Sequence, residues 1–168
     1  ATEKGLLTLL DAWRGLRDIP LRIVGDGPLL AELRARAARE GLPVEFLGLR
    51  PREEVRAVIG AAALLVLPSQ WFEGFPLVLV ESYARGTPVV AARIGSLAEL
   101  VVPDRTGLQF RAGDASELAA RVRELWADDV RRERLRRGAR ARFDAEYTAS
   151  RNLGLLLDVY AAAGAARG

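Results

Sequence analysis

Two rhythms alternate along the chain. Short, continuously apolar runs (PLRIV, PVEFLG, LLVLP, TPVVAA and GLQF) are separated by longer stretches in which apolar residues return every three or four positions. The runs predict buried strands and the spaced stretches predict helices with one buried face. Helical periodicity covers roughly 5 to 18 and gives way to the strand PLRIV, closed by Gly25. Pro28 then opens the helix LLAELRARAARE, in which Leu30, Leu33 and Ala37 share a face. PVEFLG follows as a strand, Pro51 opens the helix REEVRAVIGAA, and LLVLP is the next strand. PLVLVESYARG is expected to be helical, TPVVAA and Gly107 to Phe110 extended. Asp114 and Glu117 have capping-box spacing ahead of the helical positions Leu118, Val122, Leu125 and Trp126. Leu153, Leu156, Leu157 and Tyr160 form a last apolar stripe.

Strands that alternate with helices and are apolar throughout predict a parallel sheet covered on both faces, a doubly wound α/β domain. With 168 residues, half of them apolar, the chain reads as one domain. Ligands of such sheets bind beyond the carboxyl ends of the strands. The loops to inspect are therefore 25–28, 48–51, 69–76 and 93–97.

Composition narrows the chemistry. Histidine and cysteine are absent, which removes the commonest general base, thiolate nucleophiles, disulfides and zinc ribbons. Carboxylates, backbone amides and cations remain. The net charge is +3, and Lys4 is the only lysine among 25 basic residues. Arginines crowd the stretch RRERLRRGARAR from Arg131 to Arg142. Without interleaved aromatic residues this run reads as a solvated helix face, and no nucleic-acid partner is expected. Neither a run of about 18 apolar residues nor a basic-then-apolar leader is present, so a cytoplasmic location is expected.

The loop GDGPLL begins like a dinucleotide fingerprint, but Leu30 stands where the third glycine is required. A Rossmann cofactor is not expected, while Gly25 and Gly27 remain candidates for ligand contact beside their role in the turn. More informative is EGFPLVLVE, residues 73 to 81. Glu32/Glu40 and Glu45/Glu53 share its eight-residue spacing, but only Glu73/Glu81 encloses a Gly-Phe-Pro turn after a predicted strand. Pro76 suits a first helical turn and leaves the amides of Leu77 and Val78 unpaired, an anion site by helix-terminal physics. With Glu73 before that site and Glu81 more than a turn beyond it, the order is carboxylate, anion site, carboxylate over about 10 Å. A nucleotide sugar has the matching order of hexose hydroxyls, diphosphate and ribose hydroxyls.

The stretch EGFPLVLVESYARGTPVVAA, Glu73 to Ala92, resembles the signature of the donor-binding domain of retaining glycosyltransferases of family 4, the GT-B type. LRIVGDGPLLAEL, VEFLG, LLVLPS, ARIGSLAELV, TGLQFRAGD and the tail FDAEYTASRNLGLLLDVYAAA are similar to that family's successive segments. The resemblance implies that Glu81 holds ribose hydroxyls and Glu73 those of the transferred sugar. Gly74 and the amides of Phe75, Leu77 and Val78 would face sugar and diphosphate, and Lys4 would neutralise the leaving diphosphate. The backbone of Gly48, Leu49 and Arg50 would edge the base. Ser96 and Glu99 also match a family turn, but S-x-x-E is a capping-box spacing and that structural reading is preferred.

The implied activity is transfer of a hexose from a nucleoside-diphosphate sugar with retention of anomeric configuration, with no metal and no cofactor beyond the donor. The family pattern places an acceptor-binding domain ahead of this region, and a first donor-domain strand with an arginine that partners the Lys4 position. This chain is therefore expected to be truncated at its N-terminus, to bind donor weakly and to transfer nothing alone. The missing strand is expected between PLRIV and LLVLP, leaving apolar faces of the helices at 5–18 and 150–163 partly uncovered. The acceptor domain would be supplied in cis or by a partner chain, and peripheral association of the full-length enzyme with the inner membrane face is a further expectation. One alternative is a non-catalytic sugar-nucleotide-binding subunit. An epimerase or phosphorylase of the same architecture is the other, although a phosphorylase needs a pyridoxal-bearing lysine and Lys4 is the only lysine.

Overall fold

The computed structural model describes residues 4–72 and 74–165. Helix α1 (Leu6–Trp13) precedes β1 (Leu21–Val24), α2 (Leu30–Glu40), β2 (Val44–Gly48), α3 (Arg52–Ala61) and β3 (Leu65–Leu67). Then follow α4 (Leu77–Ala84), β4 (Val89–Ala92), α5 (Gly95–Leu100), β5 (Gly107–Phe110), α6 (Ala115–Ala127), α7 (Asp129–Glu146) and α8 (Ala149–Ala165). Each of the five apolar runs is a strand.

The strands are all parallel but fall into two sheets, β1-β2 and β3-β4-β5. Strand β4 shows why the pattern was continuous. All four of its residues are buried. Val90 and Ala92 pack with Leu9 and Trp13 of α1 and Leu118, Val122 and Leu125 of α6. Val89 and Ala91 point the other way, to Leu79 and Tyr83 of α4 and Ala139 of α7. Side chains alternate across a strand, so a strand sandwiched between helices needs apolar residues at every position.

Two helix pairs span the gap between the sheets. On one face α1 shares its buried residues, Leu9 and Trp13 joining the core over β4 and β5 while Leu10 joins Leu33 and Ala37 of α2 beneath β1 and β2. Elsewhere α3 meets α4, and Thr87 Oγ1 donates to the Ile59 carbonyl at 2.8 Å. Among the described residues, no strand pairs with the edge of β1 that faces away from β2 or with the edge of β3 that faces away from β4. An apolar cavity of about 1210 Å³ lies there, walled by Leu21, Ile23 and Val24 on one side and Leu64 to Leu67 on the other. β1 and β3 are not paired with each other.

Gly5 fixes where α1 starts. Its φ is +70°, and a Cβ there would stand 1.8 Å from the carbonyl oxygen of Pro68. Only glycine allows both the left-handed angle and that approach. The start of α1 is thereby seated against the carboxyl end of β3.

Four local expectations are corrected. Pro28 lies in a turn and α2 begins at Leu30, with Leu29 as its N-cap. Pro76 is likewise the N-cap of α4, with extended backbone (ψ 100°), and not its first helical residue. Ser96 sits inside α5, whose N-cap is Ile94 without a side-chain cap bond, so the Ser96–Glu99 capping box does not form. The apolar face of α1 is buried, at Leu9, Leu10, Ala12 and Trp13, because α2 and α6 cover it. By contrast α8 leaves Leu153, Leu156, Leu157 and Tyr160 exposed, as expected.

The capping box before α6 forms in part. Asp114 Oδ1 accepts from the Glu117 amide at 2.9 Å, while Glu117 Oε2 accepts from the Arg111 amide rather than closing back on Asp114. The arginine run lies on α7, where Arg137, Arg140 and Arg142 each pair with a carboxylate four residues away. Arg137 and Arg140 behave as a solvated helix face, whereas Arg131, Arg132 and Arg142 are at most 20% exposed, and Arg142 Nη1 donates to the Leu100 carbonyl.

Candidate functional site

The site begins where β1, β2 and β3 end. Gly25 (φ +124°) and Gly48 (φ +69°) turn the chain out of β1 and β2, and the Gly25 amide donates to the Gly48 carbonyl at 2.8 Å. This bond ties the two loops side by side. Asp26 Oδ1 accepts from the Gly27 amide at 2.7 Å, which holds the turn open. A Cβ on Gly25, Gly27, Gly48 or Gly74 would meet no atom within 4 Å, so the space over these backbones is empty.

The cavity gathers half of the residues expected from the sequence, and Glu81 is not among those that line it. Lys4, Gly25, Gly27, Leu49, Arg50 and Val78 line it together, with Asp26 and Ser69. Gly48 joins through its bond to Gly25. Gly74, Phe75 and Leu77 stand exposed at the approach to α4. Glu73 lies outside the described residues.

Helix α4 is held firmly while its start stays open. Leu79, Ser82 and Tyr83 are fully buried. Tyr83 donates its phenolic proton to the Leu100 carbonyl (2.9 Å) and sits 2.8 Å from Thr106 Oγ1, and burial pushes its pKa up to about 12. Ser82 Oγ donates to the Thr87 carbonyl at 2.7 Å. At the other end the Leu79 amide donates to the Pro76 carbonyl, whereas the amides of Leu77 and Val78 find no backbone acceptor among the described residues. Those two donors and the positive end of the helix dipole remain for an anion.

Glu81 stands one turn beyond these amides, on the side of α4 that faces α3, its side chain 18% exposed. It accepts from Arg52 Nε at 2.9 Å and lies 3.6 Å from Arg56 Nε. Neither arginine was singled out from the sequence. The i, i+4 spacing of Arg52 and Arg56 was visible, but their partner lies 29 residues after Arg52 and is brought in by packing. Exposed apolar side chains, Leu49, Trp71, Phe72, Phe75 and Leu77, rim the loops around the site.

A second hollow, about 440 Å³, is lined by Arg85, Arg136, Arg137 and Arg140 with Glu133 and Asp144. Its arginines are largely engaged, Arg137 with Glu133 and Arg140 with Asp144. Charge alone would draw anions there too, but it has no open helix start.

The family model described as "Glycosyl transferases group 1" matches residues 1–142. The chain belongs to this family. It is a GT-B glycosyltransferase domain, similar at 36% identity over 149 residues to the D-rhamnosyltransferase WbpZ of Pseudomonas aeruginosa, covering 87% of this chain and 39% of that protein. Among solved structures it is similar to HepE of Anabaena in complex with UDP (TM-score 0.87, 26% identity, 96% of this chain and 46% of that one). Sucrose-phosphate synthase of Thermosynechococcus elongatus is also similar (TM-score 0.84, 31% identity, 99% and 44%). The group 1 domain thus spans less than half the length of these relatives, and its fold corresponds to their C-terminal, Rossmann-like half. Among the described residues, no helix is long and apolar enough to cross a membrane.

Proposed function

We propose that this group 1 domain binds the nucleoside-diphosphate sugar of a hexosyltransferase that retains anomeric configuration and works without a metal. The observation that carries the reading is the convergence of Lys4, the Gly25–Gly27 turn, the Gly48–Arg50 loop and the open start of α4 on one cavity end. In this reading the base lies along Gly48, Leu49 and Arg50. The ribose hydroxyls meet Glu81, the diphosphate meets the Leu77 and Val78 amides and Lys4, and Gly74, Phe75 and Glu73 face the transferred sugar. When the bond from the sugar's anomeric carbon to the diphosphate breaks, both electrons leave with the diphosphate. The negative charge therefore grows where fixed amide dipoles and a cation already point. Structures of HepE with UDP and with UDP-glucose support a uridine nucleotide as the first ligand to try.

The vacancy between β1 and β3 supports completion by further polypeptide. Each open edge belongs to an all-parallel sheet and residues of both strands line one apolar cavity, which suits one added strand of apolar residues. Gly5 seats the start of α1 at the carboxyl end of β3, where a strand in the gap would hand over to that helix. We place the strand immediately before this sequence, with an acceptor-binding domain beyond it or on a partner chain. The exposed apolar rim around the site is the surface such a domain would cover.

The test is a thermal-shift panel with UDP, GDP and ADP at several millimolar, run on this chain and on the same chain extended upstream in its natural sequence. At a dissociation constant near 1 mM, about 5 mM ligand raises the midpoint by about 2 to 4 °C. The extended chain is expected to melt higher and to shift more with one of the nucleotides. No nucleotide-dependent shift in either protein would overturn the donor reading, and an unchanged midpoint on extension would overturn the added strand.

A further inference from the structure

Glu81 is gripped on one oxygen. Arg52 donates from Nε to Oε1, and Arg56 Nε approaches the same Oε1. Among the described residues, no hydrogen bond reaches Oε2. The two arginines stand four apart on α3 and so share a side of it. Arg56 is itself steadied by Glu53, whose Oε1 accepts from its Nη1 at 2.6 Å.

A carboxylate on a flexible stem turns freely, and an acceptor that turns freely selects poorly between ligands that differ by one hydroxyl. Holding Oε1 restricts how the carboxylate can turn and so narrows the directions in which Oε2 is presented. Helix α3 starts at Arg52, directly after the Gly48–Pro51 loop. The clamp therefore also ties the loop assigned to the base to the helix assigned to the ribose and diphosphate.

We infer that Arg52 and Arg56 are positioning residues that hold Glu81 to receive a ribose hydroxyl, and that through them the site discriminates ribonucleotides from 2′-deoxyribonucleotides. This rests on the donor-site reading above. Ion pairs that reach solvent contribute little to stability; Arg52 is 66% and Arg56 30% exposed, and glutamine at both positions keeps an amide donor for Glu81, which is 18% exposed. The clamp's effect should therefore fall on ligand choice and not on folding.

The experiment measures affinities of UDP, GDP and ADP and of their 2′-deoxy forms by ligand-observed NMR. Four proteins are compared: the parent, the Arg52→Gln/Arg56→Gln double variant, the Arg52→Lys/Arg56→Lys double variant, and Glu81→Gln. The parent is expected to prefer the ribose form of its nucleotide by about tenfold. The double glutamine variant should keep a melting midpoint within about 2 °C of the parent while that preference falls to about threefold or less. The lysine variant should recover part of the preference, since it keeps the charges but loses the planar fork. If the glutamine variant keeps the parent's preference while Glu81→Gln loses it, the clamp is overturned and the donor site stands. Equal weakening of ribose and deoxyribose forms would also overturn it, marking a structural role only. Preference retained in Glu81→Gln, or binding of none of the nucleotides, overturns the clamp together with the donor reading.

Discussion

Glu81→Ala is expected to weaken nucleoside-diphosphate binding about tenfold to a hundredfold while leaving the melting midpoint within a few degrees of the parent. A hydrogen bond to a charged acceptor contributes about 1.5 to 3 kcal/mol, and about 1.4 kcal/mol is tenfold in affinity. One effect opposes this. Removing the carboxylate leaves Arg52 without this partner and Arg56 with Glu53 alone, and makes the site more positive, which favours a diphosphate. That gain is small, because both arginines reach solvent (66% and 30% exposed) and charges about 10 Å apart are screened at physiological salt. The short-range loss therefore wins. Folding is spared because α4 is anchored elsewhere, by buried Leu79, Ser82 and Tyr83. Calorimetry with UDP reads the affinity, and equal affinity in variant and parent would dismiss the ribose role.

A large effect on stability is expected from Gly138→Ala. Gly138 is within α7, where alanine would ordinarily stabilise by about 1 kcal/mol. Here its Cβ would stand 1.9 Å from the carbonyl oxygen of Arg105. The obstacle is backbone, and its loop is tied down. Thr106 Oγ1 accepts from the Val102 amide at 3.0 Å and pairs with the Tyr83 hydroxyl, while the Thr106 amide donates to the Val102 carbonyl. Nor can α7 retreat without withdrawing Leu135 and Ala139, both fully buried. A net loss of about 3 kcal/mol is expected, lowering the midpoint by about 6 to 12 °C at this size. Gly154→Ala in α8 is the control. Nothing lies within 4 Å of a Cβ there, so the same substitution should be neutral or stabilise by up to about 1 kcal/mol. Thermal melts of the two variants should move in opposite directions, and a harmless Gly138→Ala would contradict the close packing of α7.

The strands were legible because burial on both faces imposes a continuous apolar run, and few other local structures demand VVAA or LLVLP. Their order was not. Alternation predicts a parallel sheet, but the division into β1-β2 and β3-β4-β5 follows from which edges meet in space. Helix ends were read less well for a related reason. Ser96 and Glu99 have capping spacing, yet the chain becomes helical one residue earlier, at Gly95, with Ile94 as the cap. A side-chain pattern signals a cap only where the backbone turns at that residue. The burial of Trp13 against the expected exposure of α1 has the same origin, since α2 and α6 arrive from distant parts of the chain.

The backbone of the candidate site was legible in the sequence, and its ion pairs were not. Rules for strand ends and helix starts pointed to Gly25, Gly27, Gly48 and the start of α4, and the structure gathers those loops around one cavity end. The Arg52–Glu81 and Arg56–Glu81 contacts depend on how α3 lies against α4. No local pattern specifies that.

The most direct test of the central claim is an amide-detected NMR titration of isotope-labelled protein with UDP, GDP and ADP at millimolar concentration. One of them is expected to perturb the amides of Gly25, Gly27, Gly48 to Arg50, Leu77 and Val78 together, on one saturable curve. Perturbations confined to the hollow of Arg85, Arg136 and Arg140, or none at the start of α4 with any of the three, would contradict it.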